Sequence, residues 1–349
     1  MIKVLIVEDS QVVRDFLTYI LSSDPDIQVV GTASNGEEAV KGVGDKRPDI
    51  VTMDINMPKM DGYEATRIIM ETTPTPIVVV SASWDPNEVK KTFMTMEAGA
   101  LAAVRKPVGV MHPDHKDQVK ELIQMVKLMS EVKVVRRRPQ VTLKKYIPVI
   151  SPVSEPAHTI TDIKAVAIGA STGGPPVVEA ILSRLPKDFR APLFIVQHIA
   201  PGFVQGFADW LSNSCSFHVK VAEQGESPLP GHAYVAPDGF HMEVDADKRI
   251  ILNNGEPENG LRPSVSHLFR SVARVFGEHA IGMLLTGMGK DGARELKIMR
   301  EKGAVTIVQD EQTSVIYGMP GEAVALGAAM HVLSPEAIAI LLKRLVGGK

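Results

Sequence analysis

Short β-branched runs alternate with amphipathic helical patterns along most of the chain, and this alternation limits the possible folds more than any single motif does. In the first 130 residues strands are expected at Lys3–Val7, Gln28–Val30, Ile50–Asp54, Ile77–Ser81 and Leu101–Lys106. Helical spacing of apolar residues begins near Ser10 and recurs near Gly36–Lys46, Tyr63–Glu71, Asn87–Ala98 and around Lys116–Val135. Five such strand–helix units make a doubly wound parallel sheet. Right-handed crossovers then place all five carboxyl ends of the strands on one edge, where open α/β sheets bind ligands.

From about Lys164 the alternation resumes. Strands read at Ala165–Ala170, Leu193–His198, Val219–Ala222, Ile281–Gly287, Ala304–Gln309 and His331–Leu333. Helices read at Val177–Leu185, Phe203–Leu211, Val265–Phe276, Ala293–Arg300 and Ala337–Leu345. Between Tyr234 and Leu252, Gly239 and the segment Asp245–Lys248 separate three short strand patterns, which reads as antiparallel hairpins appended to the sheet. The expected fold class is therefore α/β with two doubly wound parallel-sheet domains, residues 1–130 and a larger one at 163–349. The linker at 131–162 carries Arg136-Arg137-Arg138 and prolines at 139, 148, 152 and 156. Proline blocks helix and central strand, so this segment should be extended and semi-rigid. Its basic cluster reads as a solvated boundary.

Bulk properties exclude several classes. A formal net charge of −3 gives no general reason to expect nucleic-acid binding. A single cysteine, Cys215, excludes an internal disulfide and reads as a small core residue rather than a nucleophile. The amino-terminal apolar run meets Glu8-Asp9 too soon for a signal peptide, and no run approaches the roughly 18 residues of a membrane span. A cytoplasmic protein without membrane insertion is expected.

The polar residues cluster at strand ends. In the first half these are Glu8-Asp9, Asp54, Ser81 and Lys106-Pro107. Three converging carboxylates repel one another unless a cation sits among them, and an all-oxygen set suits Mg²⁺. Asp54 can attack phosphorus as a carboxylate nucleophile, and Ser81 and Lys106 can then bind the phosphoryl oxygens.

In the second half, Gly169-Ala170-Ser171-Thr172-Gly173-Gly174 closes an apolar strand and opens onto Pro175-Pro176, a helix-start signal. Strand, sharp glycine turn and helix start project one hydroxyl beside free backbone N–H groups. The same geometry can bind a phosphate. His198 ends the next strand and Asp291 follows Thr286-Gly287-Met288-Gly289-Lys290. A serine nucleophile needs a base, and an imidazole needs a carboxylate to fix its tautomer. His232, His241 and His267 are alternative bases, and Asp291 could instead cap the helix that follows it. The order Ser…His…Asp differs from that of α/β-hydrolases despite the Gly-x-Ser-x-Gly match. Neither metalloprotease nor paired-cysteine spacing appears, and Gly-x-Gly-x-x-Gly is not matched.

Two resemblances follow from these motifs. Residues 1 to about 125, with Val7-Glu8-Asp9, Asp54–Pro58, Met60-Asp61-Gly62, Ser81-Ala82 and Lys106-Pro107, resemble a response-regulator receiver domain. The resemblance implies Asp54 as phosphoacceptor, Glu8, Asp9, Asp54 and the carbonyl of Asn56 around Mg²⁺, and a histidine kinase as phosphodonor. Glu8 stands where many receivers have aspartate, and Ala103 where many have an aromatic switch residue. The second half, with the Gly169–Gly174 stretch, Gln197-His198, Pro237-Asp238-Gly239, Leu261–Ser264, Thr286–Gly292 and Tyr317–Pro320, resembles the CheB family of chemotaxis protein-glutamate methylesterases. That implies Ser171 as nucleophile, His198 as base and Asp291 as its orienting group. Thr172, Gly173 and Met288 would line the oxyanion site, and the esterase reaction would need no cofactor. The implied substrates are glutamyl methyl esters, and certain glutamines, of methyl-accepting chemotaxis receptors. The family further implies that an unphosphorylated receiver shields the esterase cleft. Two other classes stay open: a response regulator with a non-catalytic binding output, and an esterase acting on something other than receptors.

Overall fold

Strands buried along their whole length need cover on both faces, and the central strands of the two large sheets of this protein, such as Ile50–Met53 and Ala165–Ala170, are of that kind. The computed structural model describes residues 1–81, 86–132, 134 and 162–346. The chain divides into two compact units, Met1–Leu143 and Lys144–Lys349. The expected linker falls outside the described residues except at its two ends.

The first unit runs β1 (Ile2–Val7), α1 (Gln11–Ser22), β2 (Ile27–Ala33), α2 (Gly36–Lys46), β3 (Ile50–Met53), α3 (Gly62–Thr72), β4 (Ile77–Ser81), α4 (Pro86–Ala98), β5 (Ala102–Arg105) and α5 (His115–Ser130). Its five strands pair in parallel in the order β2-β1-β3-β4-β5. Helix starts are marked by side chains that satisfy the free N–H groups of the first turn. Asn35 accepts from the Glu38 N–H at 3.1 Å while Glu38 accepts from the Ser34 N–H at 2.8 Å, and Asp61 accepts from the Glu64 N–H at 2.9 Å. The last helix stops at Ser130, short of the expected Val135. The β-branched residues Val132 and Val134 that follow favour extended backbone over helix.

The second unit runs β6 (Ala165–Ala170), α6 (Gly174–Leu182), β7 (Leu193–Gln197), α7 (Val204–Ser214), β8 (His218–Val221), β9 (His232–Val235), β10 (His241–Val244), β11 (Ile250–Asn253), α8 (Val265–Phe276), β12 (Ala280–Leu284), α9 (Ala293–Glu301), β13 (Val305–Gln309), α10 (Met319–Ala325), β14 (His331–Leu333) and α11 (Pro335–Val346). Seven strands form one sheet in the order β14-β13-β12-β6-β7-β9-β8. Every pairing in it is parallel. The sequence placed the Tyr234 segment in a hairpin, but β9 lies inside the main sheet between β7 and β8. Ala233, Tyr234 and Val235 are all buried, as befits a strand covered on both faces. Among the strands of the described residues one antiparallel pair, β10 with β11, remains, and its Met242, Val244 and Ile250 pack in one core with Val265, Leu268 and Phe269 of α8. Each fully buried aliphatic or aromatic side chain of this kind contributes roughly 1.5–3 kcal/mol.

In both sheets the chain turns to opposite sides of its first strand. The crevices lie between β1 and β3, and between β6 and β12, at the carboxyl ends of the strands. The loops leaving those four strands hold Glu8-Asp9, Asp54, Ser171 and Asp291. The Met60-Asp61-Gly62 motif has a steric reason here. A Cβ at Gly62 would lie 2.1 Å from the Asp54 carbonyl oxygen, and the Gly62 N–H donates to the Ile55 carbonyl at 2.9 Å. The start of α3 is thus pressed against the loop carrying Asp54. Among the described residues no helix is long and apolar enough to cross a membrane.

Gly62→Ala should destabilise the first unit by about 1–3 kcal/mol. Hydrogen exchange of peptides from β1 and β3 is the measurement, and unchanged protection would refute the steric account.

Candidate functional site

The edge of the first sheet gathers three carboxylates. One oxygen from each of Glu8, Asp9 and Asp54 lies within 4.8 Å of the others, with Glu8 and Asp54 buried and Asp9 exposed. Lys106, which follows β5, reaches between two of them, with Nζ 2.8 Å from Glu8 and 2.9 Å from Asp54. Burial pushes the Glu8 and Asp54 carboxyls above their usual range, against the pull of Lys106. Burial alone would lower Lys106, but the neighbouring Asp54 and Glu8 outweigh it and raise it. The three carboxylates offer an all-oxygen ligand set, which suits a hard divalent cation.

The other expected residues are close but otherwise engaged. The Ser81 hydroxyl donates to Glu88 of α4 at 3.4 Å. The Asn56 side chain donates to Glu88 and accepts from Lys91 Nζ at 3.0 Å. Ala103 sits on β5, paired with Val79.

In the second unit Ser171 follows β6 directly. Its N–H donates to the Thr286 carbonyl at 3.0 Å, and its carbonyl accepts from the Gly174 N–H and from Gln197 Nε2, each at 2.8 Å. The turn ends on Gly173 at φ 76°, and prolines occupy the first turn of α6. Thr286 braces this turn from the neighbouring loop. Its hydroxyl donates to the Thr172 carbonyl at 3.0 Å, and its N–H donates to the buried Gln309 side chain at 2.8 Å. A Cβ at Gly287 would lie 2.6 Å from Ser171 Cβ, so the two loops touch without room for a side chain. The backbone N–H groups of Thr172, Gly173 and Met288 donate to no acceptor among the described residues. The Met288 side chain is exposed to solvent.

His198 comes off β7, its N–H held by the Ala170 carbonyl at 2.9 Å, and its Nε2 lies 3.1 Å from Asp291 Oδ2. Among the described residues His198 Nδ1 makes no hydrogen bond, and none joins the Ser171 hydroxyl to the imidazole. Catalytic contacts of this kind commonly tighten only with substrate bound.

Asp291 does not cap the helix that follows it, since α9 has Gly292 as its N-cap. It caps α8 instead. Its oxygens accept from Ser264 Oγ at 2.7 Å, Ser266 Oγ at 2.8 Å, the Val265 N–H at 2.6 Å and the Ser266 N–H at 3.3 Å. Burial at 2% exposure would raise this carboxyl, but His198 and the two serines pull it down to about 2. The amino terminus of a helix favours a carboxylate for the same reason.

The alternative bases are committed elsewhere. His232 packs edge-on to His218 with its Nδ1 on the Pro230 carbonyl. His241 and His267 stack with ring centroids 3.8 Å apart, the first bonded to the Ser264 N–H and the Glu256 carbonyl, the second to Glu243 and Glu258. Burial, with the Glu179 charge, pushes the Cys215 thiol up to about 12, so it stays protonated and is no nucleophile.

Sequence reasoning did not assign roles to Ser264, Ser266, Thr286 or Gln309. Ser264 carried a usable signal, a hydroxyl residue just before an apolar helical run. The others reach the site from distant segments.

Because Asp291 is held below its ordinary value, its contribution to stability is present above about pH 4 and is lost as pH falls through about 2. Asp291→Asn should therefore melt well below the wild type at pH 7, and the gap should close between pH 4 and pH 2. A gap that stays constant across that window would contradict the ionised, donor-ringed carboxylate.

The chain is similar to known proteins along nearly its whole length. Residues 166–342 match the family model described as CheB methylesterase, and residues 4–113 match the response regulator receiver domain. A protein-glutamate methylesterase/protein-glutamine glutaminase of Nitrosospira multiformis is 55% identical over 99% of this chain and 97% of its own length. One of Syntrophus aciditrophicus is 56% identical over 99% of both. The crystal structure of the Thermotoga maritima CheB methylesterase catalytic domain covers 53% of this chain and 100% of its own, at 37% identity and a TM-score of 0.52. The chain belongs to the CheB methylesterase family, in the form that carries a response-regulator receiver domain ahead of the esterase domain.

Proposed function

We propose that this protein hydrolyses glutamyl methyl esters of chemoreceptors through Ser171, His198 and Asp291, under control of phosphorylation at Asp54. The observation that carries the reading is the 3.1 Å pair of His198 with an ionised Asp291, set at the sheet crevice where the Ser171 turn also opens.

With Nε2 occupied by Asp291, the nitrogen left to take a proton is Nδ1. Ser171 Oγ attacks the ester carbonyl carbon as His198 Nδ1 takes the hydroxyl proton, and Asp291 stabilises the imidazolium that results. The oxyanion would be met by the free N–H groups of Thr172, Gly173 and Met288. Collapse of the tetrahedral intermediate returns the proton to the departing methoxide, which leaves as methanol. Water then repeats the sequence on the acyl-enzyme and releases glutamate. A glutamine carboxamide passes through the same intermediates with ammonia as leaving group, in keeping with the double name of the relatives.

In the receiver unit, Glu8, Asp9 and Asp54, with the Asn56 carbonyl, would hold Mg²⁺, which supplies charge neutralisation while Asp54 accepts a phosphoryl group. Ser81 and Lys106 would then leave Glu88 and Glu8 to bind the phosphoryl oxygens. A chemosensory histidine kinase is the proposed donor, methyl-accepting receptors the substrate, and the cytoplasm the site of action. Phosphorylation of Asp54 raises the rate of the esterase unit.

Methanol release from methylated receptor membranes tests the reading. Ser171→Ala should lower it at least about 10³-fold, with phosphorylation intact. Asp54→Asn should keep the basal rate and abolish its rise with a small acyl phosphate and Mg²⁺. Full turnover by the first variant, or full stimulation of the second, would overturn the assignment.

A further inference from the structure

Behind Asp291 the hydrogen-bond donors run short. Ser266, 2% exposed, places its hydroxyl oxygen 2.8 Å from Asp291 Oδ1 and 2.7 Å from Glu295 Oε2, while the Gly292 N–H donates to the same oxygen at 3.1 Å. A serine hydroxyl has one proton and two lone pairs. The Gly292 N–H takes one lone pair, so the single proton can face only one of two carboxylates. The other carboxylate must bring its own proton or sit against the second lone pair.

The surroundings of Glu295 are also charged. Arg270 of α8 donates to Glu295 at 3.1 Å and to Glu258 at 2.8 Å. Glu258 continues to His267 at 3.1 Å, and His267 to Glu243 at 2.8 Å, with His241 stacked on its face. Lys290, Arg294 and Glu322 line a cavity of about 110 Å³ together with Glu295 and Ser266. This chain of charges leads from the carboxylate behind His198 out to a polar cavity.

We propose that Ser266 is a positioning residue whose one proton is contested by Asp291 and Glu295, so that the charge on Glu295 tunes how strongly Asp291 holds the His198 imidazolium. The proposal rests on the Ser171–His198–Asp291 reading. When Glu295 is anionic it competes for the proton and adds negative charge near Asp291, which favours imidazolium and makes His198 a stronger base. With a neutral amide in place of the Glu295 carboxylate, that side chain donates to Ser266, Ser266 donates to Asp291, and the Asp291 carboxylate is left less basic toward His198.

Two substitutions at this junction should therefore move the acid limb of the kcat/KM–pH profile in opposite directions. Glu295→Gln, nearly isosteric and a permanent donor to Ser266, should shift that limb to lower pH by about half a unit or more. Ser266→Ala strips a donor from Asp291 and should shift it to higher pH by a similar amount. A merely structural role would lower activity in both variants without separating the limbs. The assay uses the full chain and methylated receptor membranes, at a fixed level of acyl phosphate and Mg²⁺. Limbs that coincide with the wild type, or that move in the same direction, would overturn the proposal. Asp291→Asn in the same assay separates the two levels of the argument. If it is inactive while the limbs do not part, the proton contest alone fails. If it keeps wild-type activity, the underlying triad falls and the proposal with it.

Discussion

A carboxylate removed from water stays ionised only if donors replace the water, and the esterase half of this protein is arranged around meeting that condition at Asp291. Two hydroxyls, two backbone N–H groups and an imidazole converge on its two oxygens. Apart from the imidazole, the donors come from Ser264 and the first turn of α8, which would otherwise carry unsatisfied N–H groups. One ion thereby completes a helix start and orients a base, and removing it would disturb both. His241 of β10 stacks on His267 of α8 and accepts the Ser264 N–H, tying the β10–β11 pair to this helix start. Fold stability and reactivity are linked at this point because they use the same hydrogen bonds.

The first unit solves the opposite problem. Around Asp54 three acids crowd together, offset among the described residues by Lys106 and by the N–H groups of Ser10 and Ile55. Such a cluster is poised to take up positive charge and to change its contacts once a phosphoryl group arrives. Both arrangements occupy a crevice of a parallel sheet where neighbouring connections depart to opposite faces, so one architectural rule places two different chemistries.

Much of this was legible in the residues. Runs such as Val4-Leu5-Ile6-Val7 and Ala165–Ala170 have no polar face, so they read as interior parallel strands, and the first polar residue after each marks the sheet edge. What escaped the sequence depended on long-range packing. The Tyr234 segment has the length and spacing of a hairpin strand, and only burial on both faces assigns it to the main sheet. Asp291 has a local sequence suited to capping α9, yet tertiary packing turns it toward α8. Ser266 and Glu295 lie 29 residues apart, and nothing local shows that they share one proton.

The central claim is that Ser171 is a nucleophile activated by His198. A fluorophosphonate that reacts with activated serines, followed by peptide mass spectrometry of the intact chain, tests it most directly. The expected result is a single adduct on the peptide carrying Ser171, lost in His198→Ala. An adduct on another residue, or equal labelling of Ser171 without the imidazole, would contradict the account.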